Sequence, residues 1–173
     1  MIQELLTKGK FKVTCRDKKG KVKWEDYIDN AIVNQGLNRI LDTMFFAKTQ
    51  ILAASWFIAL IDNSPAPTLA AGDTHASHVG WAEAVGYSED PRPVWGHGAS
   101  VAQIMTNAAA VVFSITGTAS IFGLFVASVS AKGSTSGGAN DIIWATGTFS
   151  QGVKAVTSGD TLNITYTVTA QNG

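Results

Sequence analysis

The hydrophobic positions alternate with polar ones over most of this chain, and that period of two predicts strands. Phe11, Val13 and Cys15 alternate with Lys10, Lys12, Thr14 and Arg16. Asp17-Lys18-Lys19-Gly20 then supplies turn chemistry, and Val22 and Trp24 resume the alternation, so residues 10–24 are expected to form a β-hairpin. One segment departs from period two. Leu37, Ile40, Leu41, Met44 and Phe45 recur at helical spacing. They predict an α-helix over about 35–47, with Asn34 as N-cap and the apolar stripe laid on the sheet.

Ser55–Ile61 is a short, nearly continuous apolar run, ended by Asp62-Asn63-Ser64-Pro65. It predicts a strand buried on both faces. Residues 62–92 hold Pro65, Pro67, Gly72, Gly80, Gly86 and Pro91 and predict a long irregular connection of the kind used at interfaces, with a helical turn near Asp73–His78. Further strands are expected near 92–95, 100–106, 109–117, 119–129, 141–149 and 161–170. Lys132–Gly138 is expected as an exposed flexible loop, and Ser158-Gly159-Asp160 as the turn before the last strand. The fold class that follows is mainly β: one antiparallel, jelly-roll-like β-sandwich domain over 1–173, carrying a single α-helix.

Composition agrees. The chain has 173 residues, of which only 15% are charged, with 17 Gly and abundant Ser, Thr and Ala. Five Trp, eight Phe and three Tyr are too much aromatic surface for a disordered chain. A single cysteine, Cys15, excludes an internal disulfide, and its phase with Phe11 and Val13 makes it a core residue. From Pro93 to Ala131 no side chain is charged, but Ser114, Thr116, Thr118 and Ser120 at every second position argue for strands and against a membrane span. Met1–Leu6 lacks the basic and apolar blocks of a secretory leader, so none is expected.

The formal net charge of zero conceals a split. Residues 1–23 hold eight Lys and Arg against Glu4 and Asp17, a surplus of six that the rest of the chain cancels. The lysines either protect an edge strand or dock onto an acidic protein surface. Nucleic acid is not the expected partner, because aromatic side chains for base stacking are sparse there.

Candidate chemistry is thin. His75 and His78, with Glu83 nearby and His97 beyond, have the residue types of a metal site, and a helical turn would put the two histidines on one face. A His-Glu-x-x-His motif and a third ligand at a familiar spacing are both missing, so these residues are read as loop-holding hydrogen-bond partners. No metal or other cofactor is expected. No Gly-x-Ser-x-Gly marks a nucleophile, and Gly133–Gly138 lacks the Gly-Lys-Ser/Thr ending of a phosphate loop. Trp81, Trp95 and Trp144 either plug the sandwich ends or form an interface or sugar-stacking surface.

Several motifs taken together carry a resemblance. They are Lys19-Gly20-Lys21-Val22-Lys23-Trp24 with Asn30, Gly36–Asp42, and Asp73-Thr74-His75-Ala76-Ser77-His78-Val79-Gly80-Trp81-Ala82-Glu83. Tyr87-Ser88, Arg92-Pro93, Lys132-Gly133 and Val156–Leu162 complete the set. In this order they make the chain resemble a family of tailed-bacteriophage virion structural proteins of the small head decoration or cement type. The resemblance implies a β-rich shell component without catalytic residues, made in the host cytoplasm and resident on the capsid surface. Its partners would be the major capsid protein and further copies of itself, with no membrane or nucleic acid involved. The contact residues expected on this reading are Lys18, Lys19, Lys21, Lys23, His75, His78, Trp81 and Trp95. A tail, neck or fibre component and a carbohydrate-binding virion module are the alternatives.

Overall fold

The computed structural model describes residues 5–172; the Met1–Glu4 start and Gly173 lie outside them. Within them the chain is mainly β and antiparallel, with ten strands and one α-helix. The strands are β1 (Leu5–Arg16), β2 (Val22–Ile32), β3 (Phe57–Asp62), β4 (Glu83–Ala84), β5 (Ile104–Thr106), β6 (Val111–Ser114), β7 (Ala119–Ala127), β8 (Ile143–Thr148), β9 (Lys154–Val156) and β10 (Thr161–Asn172). The helix, α1, is Asn34–Phe45.

The strands form one hydrogen-bonded path, β4-β3-β7-β8-β2-β1-β10-β5, with β6 added to β10 and β9 to β7. β1 and β10 pair along their whole length, from Leu5 opposite Asn172 to Arg16 opposite Thr161. β2 belongs to both halves of the path. Its residues up to Asn30 pair with β1, and Ala31 and Ile32 pair with β8. The two halves enclose a common core, which makes the fold sandwich-like. Phe11, Val13, Cys15, Ile28, Leu162, Ile164 and Tyr166 come from one half, and Ile58, Leu60, Ile121, Leu124 and Val126 from the other. Each such side chain contributes roughly 1.5–3 kcal/mol by leaving water.

A register shift in β7 brings Ile121 onto the same face as Leu124 and Val126. Ile61 pairs with Gly123 and Asp62 with Ile121, so Phe122 is the extra residue. Ile121, Leu124 and Val126 therefore face the inner core, while Phe125 and Ala127 join Ala59, Ile61, Trp81, Ile143 and Val33 in a second cluster. Strand β3 is buried on both faces, as its unbroken apolar run requires. The stretch 93–131 supplies β5, β6 and β7, and no helix among the described residues is long and apolar enough to cross a membrane.

The hairpin of residues 10–24 is the central part of β1 and β2. Its turn is closed by Asp17, whose Oδ1 accepts from the Lys19 and Lys21 amides, and by Gly20 at φ +80°. Other expectations need correction. Val33, not Asn34, is the N-cap, and no side chain caps the helix; α1 stops at Phe45, after which Ala47 turns left-handed. The helical turn near Asp73–His78 does not form; Thr74 and Ser77 close a tight turn instead. The 92–95 strand shrinks to a single bridge between Val94 and Phe57. The loop at 132–138 is tethered, with the Gly133 amide donating to Glu83 and Ser136 held at His75. The short strands β4 and β9 carry too few residues for a period to show.

Candidate functional site

The largest departure concerns α1. Its apolar stripe was expected on the sheet, but Leu37, Leu41, Met44 and Phe45 are exposed by 44%, 56%, 69% and 81%. Phe46 and Leu52, just beyond the helix, are exposed as well. The face that packs is the polar one. Gly36 sits against the Trp144 carbonyl, where a Cβ would clash. Arg39 is buried, donating to the Thr49 carbonyl at 2.5 Å and to Asn140 Oδ1 at 3.0 Å. Gln35 Oε1 accepts from the Ile143 amide at 2.8 Å and the His75 amide at 3.2 Å, while its Nε2 donates to the Asp141 carbonyl at 3.1 Å. Rolling α1 to bury its stripe would break all of these and leave the Thr49 and Asp141 carbonyls and the Ile143 amide without these partners. The helix is fixed with its apolar side outward.

The hairpin tip is the second exposed surface. Lys18, Lys19 and Lys21 are exposed, and the adjacent carboxylate, Asp17, is occupied by its own turn. Lys23 is different: it is exposed but already paired within the chain. Its ammonium lies 2.5 Å from Oδ2 of Asp160, whose side chain is 4% exposed. Burial alone would raise the Asp160 pKa, but hydrogen bonds from Lys23 and from Thr157 hold it below its ordinary value. Lys23 latches β2 to the β9–β10 turn.

His75, Glu83 and Arg92 form a buried polar knot beneath the 62–92 segment. Arg92 Nε donates to Glu83 Oε1 at 3.0 Å and its NH2 to Oε2 at 2.7 Å, with both side chains almost wholly enclosed. Arg92 NH1 donates to the Val129 carbonyl at 2.7 Å. It also faces His75 Nε2 at 3.3 Å. Because a guanidinium only donates, Nε2 is the acceptor there, and Nδ1 lies 3.1 Å from both the carbonyl oxygen and the amide nitrogen of Ser136. Burial, and then the Arg92 charge, lower the His75 pKa against the raising effect of the Ser136 contact. Tyr87 donates to Glu83 at 3.2 Å, and burial together with that carboxylate pushes its hydroxyl pKa well up.

His78 lies apart from this knot. Its ring stacks on Trp81 at 4.0 Å, and Trp81 donates to the buried Asp73 at 2.8 Å. Trp81 and Trp95 are 4% and 5% exposed, so both act as core residues and leave the set of contact candidates. Trp95 donates to the Tyr166 carbonyl at 3.1 Å, and with Trp56 and Trp144 it walls an open groove of about 490 Å³. Among the described residues, no three His, Cys, Asp or Glu side chains stand close enough to share a metal ion. The Cys15 thiol is pushed up to about 11 by burial, which leaves it protonated and inert.

Of the eight contact residues, Lys18, Lys19 and Lys21 are exposed cations with no ion pair among the described residues, and Lys23 is exposed and paired with Asp160. Sequence reasoning missed Arg39, Gln35 and Arg92 as organisers. Gly36 and Arg39, one turn apart and opposite the apolar stripe, were the available signal for a close-packed polar face. Arg92 stands between Pro91 and Pro93, just after Glu89 and Asp90 and just before the charge-free stretch 93–131. The class these observations define is a rigid, mainly-β scaffold that presents an uncharged apolar helix face and a cationic hairpin tip. No protein-family model matches the chain, and no curated protein matches it significantly.

Proposed function

We propose that this chain is a non-catalytic assembly component, a decoration or cement protein of a tailed-bacteriophage head that binds the major capsid protein lattice and stabilises it. The observation that carries this reading is the outward apolar stripe of α1. A domain that packs its helix by the polar face and leaves the apolar face uncovered is built to be covered by a neighbour. The motif resemblance points to the same class. The scaffold suits the task, since buried networks tie the loops to the sheet and little contact energy is lost in ordering them.

Binding only the assembled shell adds the binding free energy to the stability of that shell. Many symmetric copies multiply a modest contact. In this mechanism the hairpin tip supplies long-range attraction to acidic shell surface, and the apolar face supplies area buried against a neighbouring copy. The triple variant Lys18→Gln, Lys19→Gln, Lys21→Gln tests the electrostatic part. Its occupancy on purified capsids is expected to fall, and the remaining binding to respond less to salt. Unchanged occupancy with unchanged salt response refutes that part.

A further inference from the structure

We infer that the apolar face of α1 is covered by the same face of a second copy, as a two-fold, antiparallel helix pair. This names a partner for the surface on which the assembly reading rests. The spacing of Leu37, Leu41 and Met44, four residues and then three, is that of a helix–helix seam. In an antiparallel pair Leu41 meets its counterpart near the axis, and Leu37 meets Met44 and Phe45 of the other copy. An isologous contact requires a face that complements itself in this way.

Charge does not oppose the pairing. The stripe carries no ionised side chain. Of the charged residues of α1, Arg39 points into the fold, and Asp42 has Lys48 of its own chain at 3.9 Å. A neutral face meets its own copy without like-charge repulsion, and it offers nothing to select a charged partner.

Area supports the same occupant. Leu37, Leu41, Met44, Phe45, Phe46 and Leu52 are exposed by 44% to 81%. At about 200 Å² for each fully exposed large side chain, they present on the order of 800 Å². Typical monomers carry patches of only about 300–600 Å². A stable two-body interface takes about 800 Å² from each partner, so two copies suffice without a third component. The helix is also a fixed platform, because Gln35 and Arg39 hold it to the 139–143 segment from beneath.

The test is the mass of the free protein in solution, by light scattering and sedimentation velocity over about 1–100 μM. The native chain is expected to be a dimer, and the double variant Leu41→Glu, Phe45→Glu a folded monomer with at least ~100-fold weaker self-association. Both substituted positions are exposed in the single chain, so an unchanged circular dichroism spectrum is expected for the variant. A Leu41→Cys variant gives an independent reading: oxidation should link two copies through the near-axial residue, whereas Val79→Cys, exposed but off the helix, should not link. A native monomer across the range, or a dimer that survives the double variant, overturns the inference. A monomer that still occupies capsids overturns the helix pairing and leaves the cement reading standing. A dimer that ignores capsids supports the pairing and refutes the cement reading.

Discussion

Replacing Arg92 with Met tests whether the buried knot holds the 62–92 and 129–136 segments to the sheet. The substitution keeps much of the aliphatic volume and deletes the guanidinium. It removes both bonds to Glu83, at 3.0 and 2.7 Å, and the 2.7 Å bond to the Val129 carbonyl. The Glu83 carboxylate, 3% exposed, keeps only Tyr87 and the Gly133 amide. Stranding one member of a buried pair costs about 3–5 kcal/mol. For a chain of this size that is a fall in Tm of roughly 6–20 °C. Chemical denaturation gives the free energy, and hydrogen exchange gives the location, with the Gly133 and Ser136 amides expected to lose protection first. Adding Glu83→Gln to Arg92→Met should cost less than the two single changes together, because the pair is coupled. A loss below about 1 kcal/mol, the level of an exposed ion pair, would refute the claim that the knot organises these loops.

Two further outcomes are expected. Asp26 is buried, which alone would raise its pKa. Lys154 at 2.8 Å, the Ser150 hydroxyl and the Tyr27 and Gln151 amides overcome this and hold it at about 2. A depressed carboxylate stabilises the fold above its unfolded value, near 3.9, and loses that contribution as pH falls through the folded value, so about 2 kcal/mol should vanish between about pH 4 and pH 2. Acid titration of stability should therefore be shallower in Asp26→Asn, which is also less stable at neutral pH; an identical acid slope would count against the assignment. Gly36→Ala drives a methyl into the Trp144 carbonyl and should loosen α1 at a cost of about 1–3 kcal/mol, read by thermal denaturation; full native stability would show that the close approach is not needed.

The strands were legible because their cores are built on simple alternation. β10 shows period two over most of its length and β1 over Phe11–Cys15, and β3 shows an unbroken apolar run, so burial pattern and sequence pattern coincide there. β4 and β9 are two and three residues long and depend on partners distant in sequence, which no local period can reveal. The direction of α1 was misread for a physical reason. An apolar stripe is normally the side a helix buries, and here Arg39 and Gln35 find enough carbonyl, amide and side-chain partners to make the polar side the packed one. The half-buried Lys154 and the buried Asp160 and Arg92 illustrate the same limit: the sequence names a charge but not the distant partner that neutralises it. The hairpin lysines divide along that line, with Lys18, Lys19 and Lys21 free and Lys23 committed to Asp160.

The central claim is that this chain is a building element whose exposed faces exist to be covered in a particle. Copy number in purified virions, measured by quantitative mass spectrometry against the major capsid protein, tests it most directly. The account predicts copies on the order of hundreds, in fixed ratio to the capsid lattice. A chain absent from the particle, or present in about a dozen copies as at a single vertex, would contradict it.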